Sequence, residues 1–437
     1  MMEDIYNKNK SEGERMYSLA KKLFPLNRSI MGPDYRSSLE FFIKINPEFK
    51  IIKFKTGDKV FDWEVPQEWW INDAYIEHES GKRFAEFKKN NLHLVGYSCA
   101  VNKTISKEDL LSHLHTLPEN PEAIPYVTSY YQKNWGFCLS HKTLIDLPEG
   151  KYKVFIDSKH RSGELWLIEA CIPGNSKDEI FFTSYLCHPS MANNELSGPV
   201  LLNEILNYVK NIKNRNFTYR FLLGPETIGA IAYLSKSYKF LKKNMICGFN
   251  LTCVGDERSF SHVTSRYGQN LADIALRASL IGKKNVKEYS YIERGSDERQ
   301  YCAPGIDLPL CTFCRSKFGT FPEYHTSLDN FNLVTEQGLY ESFLVMKNII
   351  KSFEVGIYPE LKILCEPNLG KRGLYPTLSK KNHERHSGKL IIDILSYCEK
   401  NKSIFEIAKI INLRLDVLLD QLIILKENKI LDLHHKI

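Results

Sequence analysis

Apolar and polar positions in the middle of this chain follow one recurring pattern: a short apolar strand, a polar residue at its end, then a helix. Residues 181–186 read as a buried strand and residues 198–209 as the apolar helix after it. Between them lies Cys187-His188-Pro189-Ser190-Met191-Ala192-Asn193-Asn194-Glu195-Leu196-Ser197. The run Phe221-Leu222-Leu223-Gly224-Pro225-Glu226 ends in a carboxylate, and Phe249-Asn250-Leu251-Thr252-Cys253-Val254-Gly255-Asp256 ends in another. A later segment, Phe321-Pro322-Glu323-Tyr324-His325-Thr326-Ser327-Leu328-Asp329, supplies a second histidine. Strand ends in an α/β sheet share one edge, so His188, Glu226, Asp256 and His325 are expected to face one pocket.

The texture of the chain divides it further. Residues 10–48 read as two helices, and residues 58–150, rich in Val, Tyr, Trp and Pro with frequent turns, as an inserted β-rich domain. Residues 152–156 read as a further strand, and from about residue 165 strands alternate with helices, the pattern of a sheet covered on both faces. After Pro376, a helix over 388–400, a capped helix over 404–411, a turn at Asn412 and a helix over 415–428 lead into a short strand, the order of a winged helix. The expected domains are residues 1–57 with 151–358, an insertion over 58–150, and a linker with a winged helix over 359–437.

Composition changes this picture little. The chain has 437 residues, 43% apolar and 25% charged, which suits a folded protein of two or three domains. No 18-residue apolar run is present and the start is polar, so no membrane association is expected and a cytoplasmic location is. Eleven cysteines, an odd number without a spaced framework, fit reduced thiols. The one CxxC, Cys311-Thr312-Phe313-Cys314, cannot close a structural zinc site alone and reads as core. The net charge of +7 is spread over helix faces.

A hydrolytic zinc site needs imidazole and carboxylate ligands, an open position, and an unligated carboxylate to move the water's proton. His188, Asp256 and His325 are ligands of the right kind, and Glu226 is the candidate base. Any one of these alone reads as an ordinary polar residue at a loop start. All four after apolar strands, in the order His, Glu, Asp, His, point to a site.

That order resembles the M28 family of zinc aminopeptidases, over roughly residues 10–60 and 150–355. The further segments Ser296-Asp297-Glu298-Arg299-Gln300-Tyr301 and Gly370-Lys371-Arg372-Gly373-Leu374-Tyr375-Pro376 are similar to a subgroup of aminopeptidase-like proteins with an inserted β domain and a C-terminal winged helix, often associated with polysaccharide biosynthesis. The resemblance implies a mixed sheet flanked by helices, with His188 and Asp256 on one metal, His325 at the second position, and Glu226 as base. Three positions depart from the family's pattern. Ser190 stands where an aspartate usually orients the first histidine, so that support must come from elsewhere. Asn194 stands at the bridging carboxylate, displaced to Glu195, and Thr227 replaces a metal-binding glutamate. Fewer carboxylates cannot hold two dications close together, so one tightly bound zinc is expected, with Glu195 completing its shell.

Candidate substrate contacts are Asn194, Thr227, Arg299 and Tyr324. Arg299 either clamps an anionic group or pairs with a carboxylate of its own loop. His113 and His115 form a lone HxH, weak support for a metal; packing is expected, with His115 a candidate for the pocket rim. Trp63, Trp69, Trp70, Tyr130, Tyr131 and Trp135 are either a sugar-stacking surface or the core of the insertion. The expected activity is zinc-dependent hydrolysis of a small peptide or amide; the rival is a decayed peptidase pocket kept for ligand binding or regulation. Asp416 and Asp420 make the candidate recognition helix acidic, which argues against DNA and for packing or self-association, including a homo-oligomer.

Overall fold

The structure is a computed structural model that describes residues 10–374 and 387–436. The polar first residues and the later part of the expected linker, with Tyr375 and Pro376, lie outside the described residues. The main sheet has eight strands in the order Lys50–Lys55, Glu164–Ile172, Thr218–Gly224, Glu179–Tyr185, Met245–Leu251, Leu310–Cys314, Phe260–Val263 and Val286–Tyr289. Its four middle strands are parallel and the sheet becomes antiparallel on both sides of them. Glu179–Tyr185 and Met245–Leu251 are buried along almost their whole length, as strands covered on both faces must be.

Side chains alternate between two cores. Ile180 and Phe182 point to the layer that holds the helices Glu12–Leu23, Ser197–Lys210 and Glu336–Val355, whereas Phe181 and Tyr185 face Ile228–Asn244 and the insertion. Phe182 stacks between Phe221 and Phe249 of the neighbouring strands, centroids 5.5 and 5.6 Å away. Each such buried ring contributes about 2 kcal/mol, which ties the three central strands together.

Glu179–Tyr185 lies between the strands that follow it, with Thr218–Gly224 on one side and Met245–Leu251 on the other. The loops after it therefore diverge, and a crevice opens at its carboxyl end, where His188 follows. Gly198 is required here. A Cβ on it would lie 2.3 Å from the Leu251 carbonyl oxygen and from Ser184 Oγ, so only glycine lets the next helix start against the sheet.

The insertion has its own four-stranded sheet, ordered Arg83–Phe84, Glu68–His78, Lys151–Arg161 and Val101–Ser106. Lys151–Arg161, which contains the strand read at 152–156 and falls within the expected domain of residues 151–358, pairs along Glu68–His78, and the chain rejoins the main sheet at Glu164. Much of residues 112–150 is irregular, pinned by short contacts rather than strands.

The C-terminal winged helix starts before the expected linker, because Tyr358–Leu361 pairs with Leu431–His434. Its helices are Ser387–Leu395, Ile404–Ile410, opened by a capping box of Ser403 and Glu406, and Leu415–Glu427. Leu418, Leu422 and Leu425 belong to the same buried cluster as Phe353 and Ile349 of the long helix Glu336–Val355, so this unit packs on the core of the main-sheet domain. Among the described residues no helix is long and apolar enough to cross a membrane.

Candidate metal and catalytic site

His188 is buried just past the central strand, and its two ring nitrogens face different surroundings. Nδ1 lies 2.6 Å from Glu195 Oε2, and Nε2 lies 4.0 Å from Glu226 Oε2 across a pocket. Glu195 reaches that place because residues Ala192–Leu196 form a single wide π-turn, which swings the carboxylate back under the imidazole. Asp329 holds the turn from a distant loop: its two oxygens accept from the backbone N–H of Asn193 at 2.6 Å and of Asn194 at 2.8 Å.

Cys187, His188 and Glu195 bring candidate ligand atoms within 4.8 Å of one another, but Glu195 meets the His188 ring as a hydrogen-bond partner. With zinc–ligand distances of about 2.0–2.1 Å, two atoms sharing one ion stand about 3 Å apart or more, further than the 2.6 Å seen. Glu195 fixes the imidazole from behind and supplies the orientation that Ser190 cannot. Cys187, also close, accepts from the Glu226 backbone N–H through Sγ at 3.3 Å.

Beneath this pair lies Arg28, fully buried, whose Nε donates to the His188 carbonyl at 3.1 Å. Burial lowers its pKa, and the charge of Glu195 raises it back in part, so the guanidinium acts as countercharge to that carboxylate. Nothing in the residues around Arg28 marks it in the sequence; it follows a helix end and a proline, and only the fold brings it here.

The pocket has a volume of about 440 Å³ and is lined by His188, Glu226, Thr227, Arg299 and His325 with an aromatic wall from the insertion. Tyr126 supplies part of that wall, its ring 4.8 Å from His188 and 5.3 Å, edge-on, from His325. Its backbone N–H donates to the His325 carbonyl at 2.8 Å, and Ile124 and Ser327 bond each other twice nearby, so the insertion clamps the His325 loop. Sequence reasoning missed Tyr126; the one signal was its place after Pro125 in a turn-rich stretch. Trp63, Tyr130 and Tyr131 do line the pocket, while Trp69 is buried, Trp70 lies under Arg161, and Trp135 stacks on His113 at 3.5 Å. His113 and His115 are not on the pocket wall.

Two wall residues have strained backbones. Thr227 has φ 64° and His325 φ 55°, the left-handed region that a β-branched residue such as Thr227 enters at a cost of about 1–3 kcal/mol. The Thr227 N–H donates to Asp297 Oδ1 at 2.8 Å, and its Oγ1 accepts from Arg299 Nη2 at 2.6 Å. Asp297, noted in the sequence only within its segment and given no role there, is buried, and burial together with Glu226 pushes its pKa well up. Arg299 has no carboxylate within ion-pair distance among the described residues, and its Nε is buried without a partner. Tyr324 stacks flat on His325, centroids 3.9 Å apart, and supports the ring.

Four expected residues do not line this pocket: Glu195 and Tyr324, which lie against the two histidines, and Asp256 and Asn194, which are turned elsewhere. Asp256 is fully buried and accepts four hydrogen bonds, from Asn193 Nδ2, the Arg258 N–H, and the N–H and Oγ of Ser316, at 2.8–3.0 Å. Among the described residues, no set of three candidate ligand atoms within 4.8 Å of one another includes it. Asn194, also buried, donates to the Tyr185 hydroxyl at 2.9 Å inside the turn and does not line the pocket.

The donors that do face the pocket fit zinc in kind. Burial pushes the His188 pKa down, but Glu195 and Glu226 outweigh it, so it lies above the ordinary imidazole value. Burial, with His188 nearby, brings that of His325 down to about 3, which leaves this imidazole neutral and able to donate to a metal. Burial raises the Glu226 pKa against the opposing pull of His188 and Arg299, the direction that suits a base working near neutrality.

Residues 17–356 match the family model described as a domain of unknown function, DUF4910. The chain belongs to this family. Residues 357–433 match a winged helix-turn-helix model. A Clostridium acetobutylicum protein, provisionally named for polysaccharide biosynthesis with an aminopeptidase-like domain, is 39% identical over 93% of this chain and 94% of its own. A crystal structure from Clostridium acetobutylicum, provisionally described as a peptidase, superimposes with a TM-score of 0.88 at 35% identity, covering 99% of this chain and 100% of that one. The zinc aminopeptidase BSAP of Bacillus subtilis superimposes with a TM-score of 0.57 at 11% identity, covering 78% of this chain and 93% of its own. The last comparison shows that the DUF4910 fold here is a zinc-aminopeptidase-like mixed sheet flanked by helices, with a winged helix added.

Proposed function

We propose that the protein hydrolyses amide bonds of a small substrate, with one zinc ion held by His188 and His325 and with Glu226 as the proton-transferring base. The observation that carries this reading is the two-sided environment of His188, its Nδ1 backed by Glu195 at 2.6 Å and its Nε2 4.0 Å from Glu226 across the open pocket. Bound zinc would supply Lewis acidity, polarising the substrate carbonyl and lowering the pKa of water to about 7.

Glu226 then takes the proton from the attacking water and passes it to the leaving amine, and its raised pKa eases both transfers. Glu195 keeps the His188 proton on Nδ1 and leaves Nε2 as a donor. Tyr126, Trp63 and Tyr131 wall off the solvent side, which strengthens every charge interaction inside. The relative's name supports a substrate met in polysaccharide assembly.

One observation favours the rival, a ligand-binding pocket without turnover. Asp256 is committed to Ser316 and Asn193, so two imidazoles are left where catalytic zinc sites usually have three protein ligands. Elemental analysis of the purified protein and of His188→Ala, beside a screen of peptide and N-acyl amino-sugar substrates, separates the readings. Zinc lost with His188 and turnover lost in Glu226→Gln support the hydrolase; retained ligand binding with no turnover on any substrate supports the rival.

A further inference from the structure

Arg299 stands on the wall of two cavities at once. One is the pocket of His188 and Glu226; the other is an open groove of about 850 Å³ lined by Arg266, Arg277, Arg294 and Glu288 with Tyr267 and Tyr291. Pocket and groove therefore present four arginines against two carboxylates, Glu226 and Glu288. Not all of that positive charge is free. Arg277 is spent on Glu288 through two hydrogen bonds, at 2.7 and 2.9 Å, and Arg266 pairs with Asp307.

Arg294 and Arg299 are left, and among the described residues neither has a carboxylate within ion-pair distance. Arg294 is exposed on the rim, its guanidinium 4.6 Å from the Tyr291 ring centre. Arg299 is held in place by Thr227 Oγ1 through Nη2, and its buried Nε has no partner. A buried guanidinium N–H without an acceptor is costly unless a ligand satisfies it. The strained Thr227 backbone, φ 64°, keeps that guanidinium beside the reacting centre.

A free amino terminus makes the opposite demand. Its ammonium needs acceptors, and among the described residues the one carboxylate lining the pocket is Glu226, which the proposed chemistry already uses. We infer that Arg299, continued by Arg294 along the groove, is an oxyanion subsite, and that the substrate carries a carboxylate or phosphate next to its scissile amide instead of a free amino terminus. This rests on the amide-hydrolase reading and narrows its substrate class. An Arg fork suits either planar carboxylate or phosphoryl oxygens, and the open groove leaves room for the rest of an extended anionic molecule, with Tyr267 and Tyr291 as stacking faces.

The test uses the metal-free full chain, so that neither zinc nor turnover contributes to the readout and a failure of the hydrolase reading is seen separately. Binding of N-acetylglycine, its phosphonate counterpart N-acetylaminomethylphosphonate, neutral N-acetylglycinamide and cationic glycinamide is compared by ligand-observed NMR. At least one anionic probe is expected to bind about tenfold or more tightly than the neutral and cationic ones, the usual worth of a charge-assisted pair of hydrogen bonds. The stronger of the two anions tells carboxylate from phosphate.

Arg299→Ala is expected to abolish the preference. Because Arg299 also holds Thr227, Arg299→Lys and the rim variant Arg294→Ala are measured beside it, with melting temperatures; each should reduce the preference by two- to threefold or more. Equal binding of all four probes, tighter binding of glycinamide, or an unchanged preference in both Arg299 variants overturns the assignment.

Discussion

Glu195 Oε2 stands 2.6 Å from His188 Nδ1, behind the imidazole and away from the pocket. The carboxylate is fully buried, its other oxygen has no hydrogen-bond partner among the described residues, and the Arg28 guanidinium supplies the nearby opposite charge. In the proposed site this carboxylate would act as a support that sets the imidazole's tautomer and direction. Asn194, which stands where the resemblance implies a bridging carboxylate, turns inward and donates to the Tyr185 hydroxyl at 2.9 Å, so it would offer a second zinc ion no bridge.

Replacing Glu195 with Gln should keep the shape but remove the charge that holds the His188 proton. Zinc affinity is expected to fall about 10- to 100-fold, the usual effect of losing a partner behind a metal-bound histidine. Competition against a chelating dye measures it, and an affinity within twofold of wild type refutes the role.

Thr227→Gly should separate stability from function. Glycine adopts φ 64° without steric cost, so unfolding by urea is expected to show a gain of about 1 kcal/mol. The same change removes the Oγ1 acceptor that positions Arg299, so affinity for anionic probes should drop severalfold. Arg299→Ala, which already lacks that hydrogen bond, is the reference background; a Thr227→Gly change that destabilises it would show that Thr227 is not strained in this way.

Glu68 links the helix Pro33–Ile45 to the insertion through Arg36, and also accepts from the Glu164 N–H at 3.1 Å. Burial pushes its pKa up, but Arg36, Trp70 and the Glu164 amide bring it below the ordinary 4.5. A carboxylate with a lowered folded-state pKa stabilises the fold above its unfolded value and loses that contribution as pH falls through the folded one. Glu68→Gln should therefore cost about 2 kcal/mol near pH 7, and its deficit should shrink below about pH 4.5. Thermal melts of both proteins from pH 3 to 7 check this; a deficit that is constant with pH contradicts it.

The winged helix is expected not to bind DNA at physiological salt. Its candidate recognition helix, Leu415–Glu427, buries Leu418, Leu422 and Leu425 in the domain core, and Asp416 is already paired with Arg414 at 2.5 Å. The exposed Asp420 offers phosphates nothing attractive. Fluorescence anisotropy with the full chain and mixed-sequence duplex at about 150 mM salt should show no saturable binding below micromolar concentration. Submicromolar saturation would favour the regulatory reading.

The periodicity of the chain was enough for the sheet and for the edge on which His188, Glu226 and the pocket lie. A buried parallel strand is an apolar run of fixed length, and its carboxyl end must open on the crevice where neighbouring loops diverge. The Ser403 cap of the helix Ile404–Ile410 was legible for the same reason, since a cap acts over three residues; the reciprocal bond from Glu406 was seen only in the structure. Tertiary structure alone decided which polar residues at that edge face the pocket. Asp256 is drawn away by Ser316, 60 positions further along, and Glu195 is turned under His188 by a π-turn that Asp329 holds from another loop. Tyr126 and Arg28 arrive from an insertion and from the segment after the first helix. Side-chain direction at a loop depends on hydrogen bonds with distant partners, and no local pattern records those.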